Sequence, residues 1–367
     1  MHADLLTAHR RVAETYAAFD DVYDYDKTGA SHPRFYPPGL PPAAKLLPPV
    51  EMGSASDELQ HAQRTYSQII HHSAWLQLWA RLQAVSTREA VRFVCASQPH
   101  AGDWLNAVPK HEHMRMHTWA MRIAVQRRLG LPLLAVAAAP AARSRHGKQF
   151  DVYGDVASND GEAGHQTRHF QLLLAIHKVA KSVWGGSVQR EPPDYRDYSD
   201  TRPDLAATGA GRGGGLWIGD LKLLGPIGSD GSPPIRGAMV AFGCTLPAAQ
   251  EQTHGLQERG APSDGRWRAR AGVGHVPQQD GQYTRALSLG CTVYTLLFET
   301  FGGFSPDVCR LLKELADVRE NRLSKAEYDD TTWAARTWQS WAAQQLSVAV
   351  QQAVAEEIAH ALGIATA

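Results

Sequence analysis

Long apolar runs are missing from this chain. No stretch approaches the roughly 18 residues of a membrane-spanning helix, and the opening MHADLLTAHRR has no apolar core of the kind a signal peptide needs. Net charge is missing as well, because 37 Lys and Arg balance 37 Asp and Glu. A clearly basic total, which counterion release favours in nucleic-acid binders, is therefore not available as a signal. Cysteine is scarce: Cys95, Cys244, Cys291 and Cys309 lie far apart with no CxxC spacing. They read as reduced, mostly buried thiols of an intracellular protein. Two familiar motifs are also incomplete. His111, His113 and His117 surround Glu112 without HExxH spacing, and on a helix only the last two would share a face. GAGRGGG at 209–215 lacks the Gly-Lys-Ser/Thr ending of a phosphate loop and leads into a strand-like segment, which makes it a hairpin turn.

What is present divides the chain into four parts. At 367 residues there is room for about two domains with a sizeable core. Residues 1–56, with a short helix at the start and the proline-rich PPGLPPAAKLLPP, read as a poorly ordered arm and extended linker. Residues 57–150 read as a helical region: Leu59, Ile69, Ile70, Trp75, Leu76, Trp79, Leu82 and Val91 recur at helical intervals, and a helix over 114–129 is stopped by Gly130 and Pro132. An α/β core is expected over 151–330. From 331 to 367, Trp338, Leu346, Val350, Val354, Ile358 and Leu362 recur at near four-residue spacing, which predicts a long amphipathic helix. It docks on the core or forms a dimer contact.

The chemistry concentrates in two segments. Arg202-Pro203-Asp204 is followed, after fifteen residues, by Asp220-Leu221-Lys222. The run LWIGDLKLL is apolar enough to be a strand, bounded by glycines before and Gly225-Pro226 after. On a strand Asp220 and Lys222 share a face, about 7 Å apart. Pro203 suits the start of a neighbouring strand, and the glycine-rich link is short enough for a hairpin that brings Asp204 beside Asp220. Two carboxylates held together call for a hard cation, and Mg²⁺ takes one or two carboxylates with water and phosphate oxygens completing its shell. Mn²⁺ would serve the same donors. Such an ion polarises a phosphate and generates the attacking hydroxide, and Lys222 would stabilise the charge that grows on phosphorus. Glu191 is a candidate third acid, with a surface role equally open. Gln279 and Tyr283 lie ahead of a helix that follows the sheet and are weaker candidates.

In this order the segments resemble the restriction-endonuclease-like PD-(D/E)XK core: a helix over 168–184, strands in SVQRE, RPDLAA and LWIGDLKLL, then a helix and a strand. More closely, the chain is similar to the endonuclease region downstream of the reverse transcriptase in site-specific non-LTR retrotransposons of green-algal type. The likeness rests on SQPHAGDWLNAVP (97–109), QRRLGLP (126–132), Gly154-Asp155, Arg168-His169, Arg202-Pro203-Asp204, Asp220-Leu221-Lys222 and LLFETFGGFSP (296–306), and covers about 58–362. It implies a metal-dependent DNA endonuclease with Asp204 and Asp220 on the metal, Lys222 and Glu191 assisting, and Arg168, His169 and Arg202 toward nucleic acid.

Two departures accompany the likeness. The family's zinc knuckle is not matched, since Arg143-Ser144-Arg145-His146-Gly147 and Gly154-Asp155-Val156 stand where its ligands would be. A closed zinc site needs about four N or S ligands, so no structural zinc is expected. No reverse-transcriptase segment is present either, so the chain reads as a free-standing derivative or a fragment of an element. Arg266, Arg268 and Arg270 alternate around Trp267, a pattern that suits a phosphate backbone and a stacked base or else an exposed loop. DNA is the expected partner, with a homodimer or a retroelement protein as further possibilities and the nucleus as the place of action on genomic DNA. The alternative is a catalytically inactive nucleic-acid-binding remnant, or a product with no function.

Overall fold

The strands expected in 187–191, 202–207 and 216–224 form over 188–190, 205–208 and 216–224, and one parallel strand completes their sheet. In the computed structural model the described residues are 71, 73–134, 136, 143–144, 147–159, 164–228, 242, 245–266, 273–331 and 335–363. They divide into two compact units, Met1–Ala90 and Val91–Ala367. In the first, 73–85 is helical, with Trp75 and Trp79 stacked at 6.1 Å between ring centroids. The second is a mixed α/β structure with a small mixed sheet and several helices.

Chain order in the second unit begins with α1 (Thr87–Ala96), whose first residues lie in the other unit, then α2 (Thr118–Leu129) and α3 (Gly164–Trp184). Strands β1 (Val188–Arg190), β2 (Leu205–Thr208) and β3 (Leu216–Leu224) follow, then α4 (Thr245–His254). A two-residue pair, β4 (Gly255–Leu256) with β5 (Gln279–Asp280), and the short α5 (Thr284–Ser288) lead to β6 (Thr292–Glu299). Three helices close the chain: α6 (Pro306–Val318), α7 (Lys325–Thr331) and α8 (Trp338–Ala361). The main sheet has the order β1-β2-β3-β6, with the first two pairings antiparallel and β3-β6 parallel. The parallel step is a crossover, and α4 lies within it, as a parallel connection requires.

Strand β3 is buried on both faces. Trp217, Leu221 and Leu223 enter the main core with α3 and α8 residues such as Leu172, Ile176, Leu346 and Val354. On the other face Ile218 packs with Tyr283, Ala286 and Val293, and Leu224 packs with Phe242, Ala249 and Leu297. Asp220 and Lys222 lie between those two clusters by strand alternation. Gly219 beside them is a packing requirement, because a Cβ there would come within 2.6 Å of the Trp217 ring and 2.8 Å of Leu296. The link between β2 and β3 is the expected glycine turn, with Gly209, Gly213 and Gly214 at positive φ, where a Cβ would add strain.

The C-terminal helix differs from the amphipathic expectation. It spans 24 residues, and buried positions run round it: Trp338, Ala342, Leu346 and Val350 in the core, but also Gln344, Gln345, Ser347, Gln351 and Glu357. The reason lies in its neighbours. Ser347 Oγ accepts from Trp104 N at 3.2 Å and donates to the His100 carbonyl at 3.0 Å, so the 97–109 segment covers a polar side of the helix. Glu357 pairs with Arg168 of α3. The apolar positions of α8 are thus spent on the core of its own chain.

Candidate active site

Asp204 and Asp220 come together through strand register. Leu205 opposes Gly219 in the β2-β3 ladder, so the next pair outward is Asp204 with Asp220. Asp204 sits in the bend just before β2, where its side chain is not committed to either sheet face. One oxygen, Oδ2, accepts the backbone N–H of Leu221 at 2.7 Å. The other, Oδ1, lies 3.3 Å from His169 Nε2 on α3. Asp204 is therefore anchored between β3 and the helix that crosses the sheet.

Asp220 is the most enclosed acid of the group, 4% exposed. Its Oδ2 meets Lys222 Nζ at 3.1 Å and accepts from Thr253 Oγ1 of α4 at 2.9 Å, while Oδ1 accepts from the Tyr283 hydroxyl at 3.3 Å. Burial pushes the Asp220 carboxyl above its usual range; the Lys222 ammonium pulls it back, and the Asp204 charge pushes it up again. Tyr283, wholly buried, is held far above the usual phenol range by burial and then by the charges of Asp220 and Asp204. It is consequently a hydrogen-bond donor at all ordinary pH. The hydrogen bond to Asp204 raises the His169 imidazole while burial works against it.

These side chains supply hard oxygen donors on one side and an ammonium on the other. Among the described residues no group of three or more His, Cys, Asp or Glu gathers closely enough to cage a metal ion. That pattern does not suit a closed zinc site, but a two-carboxylate Mg²⁺ site with water and substrate in the remaining positions needs no such cage. The observation that fits a cation is electrostatic: burial raises the Asp220 carboxyl despite Lys222, and the nearby Asp204 charge adds to the cost of ionising it. A divalent ion between them would reverse that penalty.

The remaining candidate residues fall elsewhere. Glu191 is at the exposed end of β1, at positive φ, and its carboxylate pairs with Arg202 at 3.1 Å. Its backbone N–H donates to the Asp204 carbonyl at 2.9 Å, so it lies beside the acids while its side chain is engaged outward. Arg168 does not face solvent. It is 4% exposed and donates to Glu357 and to the carbonyls of Ser158 at 2.8 Å and Leu223 at 3.1 Å. Its role in this structure is to tie α3 to α8 and to the end of β3, which corrects its placement toward nucleic acid. Arg266 is exposed and bridges to His275; Arg268 and Arg270 lie outside the described residues. His111 and His113 stack on one another at 5.3 Å between centroids.

Thr253 and Tyr283 are the residues that strand reasoning passed over or touched only weakly. Tyr283 had one signal, its place ahead of a helix after the sheet, and Thr253 had none. Compared with known proteins, the chain matches no family model, no curated protein and no solved structure. No helix among the described residues is long and apolar enough to cross a membrane.

Proposed function

We propose that this chain is a Mg²⁺- or Mn²⁺-dependent DNA endonuclease with a PD-(D/E)XK arrangement, derived from the endonuclease region of a non-LTR retroelement. The observation that carries the reading is Asp220: a buried strand carboxylate with Lys222 at 3.1 Å and Asp204 opposite in register. Support also comes from the order of helix, three-strand meander, helix and parallel strand around it. Asp204 and Asp220 would hold the ion, which when bound supplies a polarised phosphate and an activated water. Thr253 and Tyr283 fix the Asp220 carboxylate, so that its orientation does not have to be found during each reaction cycle. Lys222 has an ammonium close enough to meet negative charge growing on the phosphate oxygens. The substrate would be genomic DNA in the nucleus.

A second reading, binding without turnover, draws on the fact that all four oxygens of Asp204 and Asp220 already have protein partners. The two readings separate in one experiment. Purified protein is incubated with supercoiled plasmid and Mg²⁺ or Mn²⁺ beside Asp220→Ala and Lys222→Ala. Nicking by the wild type and loss of at least about a hundredfold in both variants is expected, in line with removal of a single charge-stabilising group. Equal nicking by all three, or none by any, sinks the endonuclease.

A further inference from the structure

Helix α3 carries an exposed ridge that its packing does not explain. The helix is 21 residues long and contains no Asp or Glu, yet it holds Arg168, His169, His177, Lys178 and Lys181. Its outward cations are Lys178 and Lys181. Arg168 and His169 are used internally, on Glu357 and Asp204. The outward positions are Phe170, 46% exposed, and Leu174, 39% exposed, followed at helical spacing by the half-buried His177 and by Lys181. From 170 to 181 the ridge runs about 17 Å.

The ridge begins next to Asp204. Phe170 follows His169, which bonds Asp204. The guanidinium of Arg190 lies over the Phe170 ring at 5.1 Å from its centroid, and Arg190 opposes Leu205, the residue after Asp204. Burial first, then the Lys181 and Arg190 charges, hold the His177 imidazole below its usual range. An exposed aromatic ring with a guanidinium over it, at one end of a helix that carries no Asp or Glu and beside a proposed phosphodiester-cleaving site, has the two properties that unpaired nucleotides require. Bases stack on the aromatic and guanidinium faces, and the backbone follows the cations.

We propose that this ridge, Phe170 with Arg190 and then Leu174, His177 and Lys181, receives a single-stranded segment of the nucleic acid that flanks the scissile phosphate, with one unpaired base stacked on Phe170. The preferred substrate is then a duplex with a single-stranded branch or flap, not a continuous duplex. The inference rests on the nuclease reading for its position beside a cleavage site, but the binding surface can be tested without cleavage.

The full chain is titrated in EDTA with a DNA duplex bearing a single-stranded flap that contains 2-aminopurine, and with the same duplex lacking the flap. Wild type, Phe170→Ala, Phe170→Trp and Lys181→Ala are compared by fluorescence and by affinity, and sedimentation checks their oligomeric state. Stacking on an aromatic side chain gives about 1–3 kcal/mol per base, so Phe170→Ala should lose roughly tenfold in flap affinity and the change in 2-aminopurine emission. Phe170→Trp should keep both, and affinity for the flapless duplex should be the same in all. Lys181→Ala should reduce flap affinity and flatten its salt dependence. Unchanged flap preference in Phe170→Ala overturns the proposal, and so does a change in self-association in place of DNA affinity. If wild type nicks plasmid while Phe170→Ala keeps full flap preference, the ridge is refuted and the endonuclease stands. Flap binding lost in Phe170→Ala, with no cleavage by any variant, supports the ridge and refutes the endonuclease.

Discussion

Replacing Lys222 by methionine removes the ammonium facing Asp220 while keeping most of the packed stem. The Asp220 side chain is 5% exposed and that of Lys222 17%, with 3.1 Å between charges. Breaking a fully buried ion pair by removing one partner costs about 3–5 kcal/mol. Lys222 retains some solvent, so Lys222→Met should destabilise the protein by about 2 kcal/mol when measured without divalent ions. The same change removes a cation that competes for the Asp204-Asp220 site, and Mg²⁺ should then bind more tightly. An ion present at ten times its dissociation constant stabilises by about 1.4 kcal/mol, and each tenfold gain in affinity adds about as much again. Urea unfolding in EDTA and in excess Mg²⁺ should therefore show a larger Mg²⁺-induced shift for Lys222→Met than for wild type, and none for Asp220→Ala. A Mg²⁺ shift in Lys222→Met no larger than that of wild type refutes the view that these carboxylates form a cation site.

Further expectations concern residues that support the site or the fold. Tyr283→Phe removes a 3.3 Å hydrogen bond to Asp220; bonds to charged groups contribute about 1.5–3 kcal/mol, and with this length at the weak end kcat should fall about tenfold with KM unchanged, as steady-state cleavage would show. Arg168→Ala removes the buried ion pair with Glu357; a loss of about 3–5 kcal/mol in denaturant unfolding is expected, with the salt dependence of DNA binding unaltered. Burial lowers His100, but the hydrogen bonds with Asp103 and Cys309 outweigh it and hold the imidazole up at about 9, against the ordinary 6.5. The folded protein then binds this proton more tightly than the unfolded chain. Its contribution is complete below about pH 6.5 and is lost as pH rises through about 9. Wild type should lose about 1–2 kcal/mol in urea unfolding between those values, and Asp103→Asn should flatten that slope.

The pairs that sequence made visible are those whose geometry is set by neighbouring residues. Asp220 and Lys222 share a face because strand side chains alternate, and the glycines of 209–215 turn the chain back so that Leu205 meets Gly219. Nothing beyond short-range geometry is needed for either step. Thr253 and Tyr283 lie 33 and 63 residues from Asp220, and they reach it only because α4 and the segment before α5 cover one face of β3. Arg168 shows the opposite failure: beside His169 in a basic helix it looks ready for phosphate, whereas its partner Glu357 stands 189 residues away on α8. The same unseen packing makes α8 look amphipathic, because Gln344, Ser347 and Gln351 mark a polar face only until the 97–109 segment covers it, and Glu357, on another face, is taken up by α3. Polar side chains with distant partners are thus the least legible residues. In this chain they decide which charges remain for chemistry: Glu357 takes Arg168 inward, Thr253 and Tyr283 hold Asp220 in place, and the outward cations left on α3 and β1 are Lys178, Lys181 and Arg190.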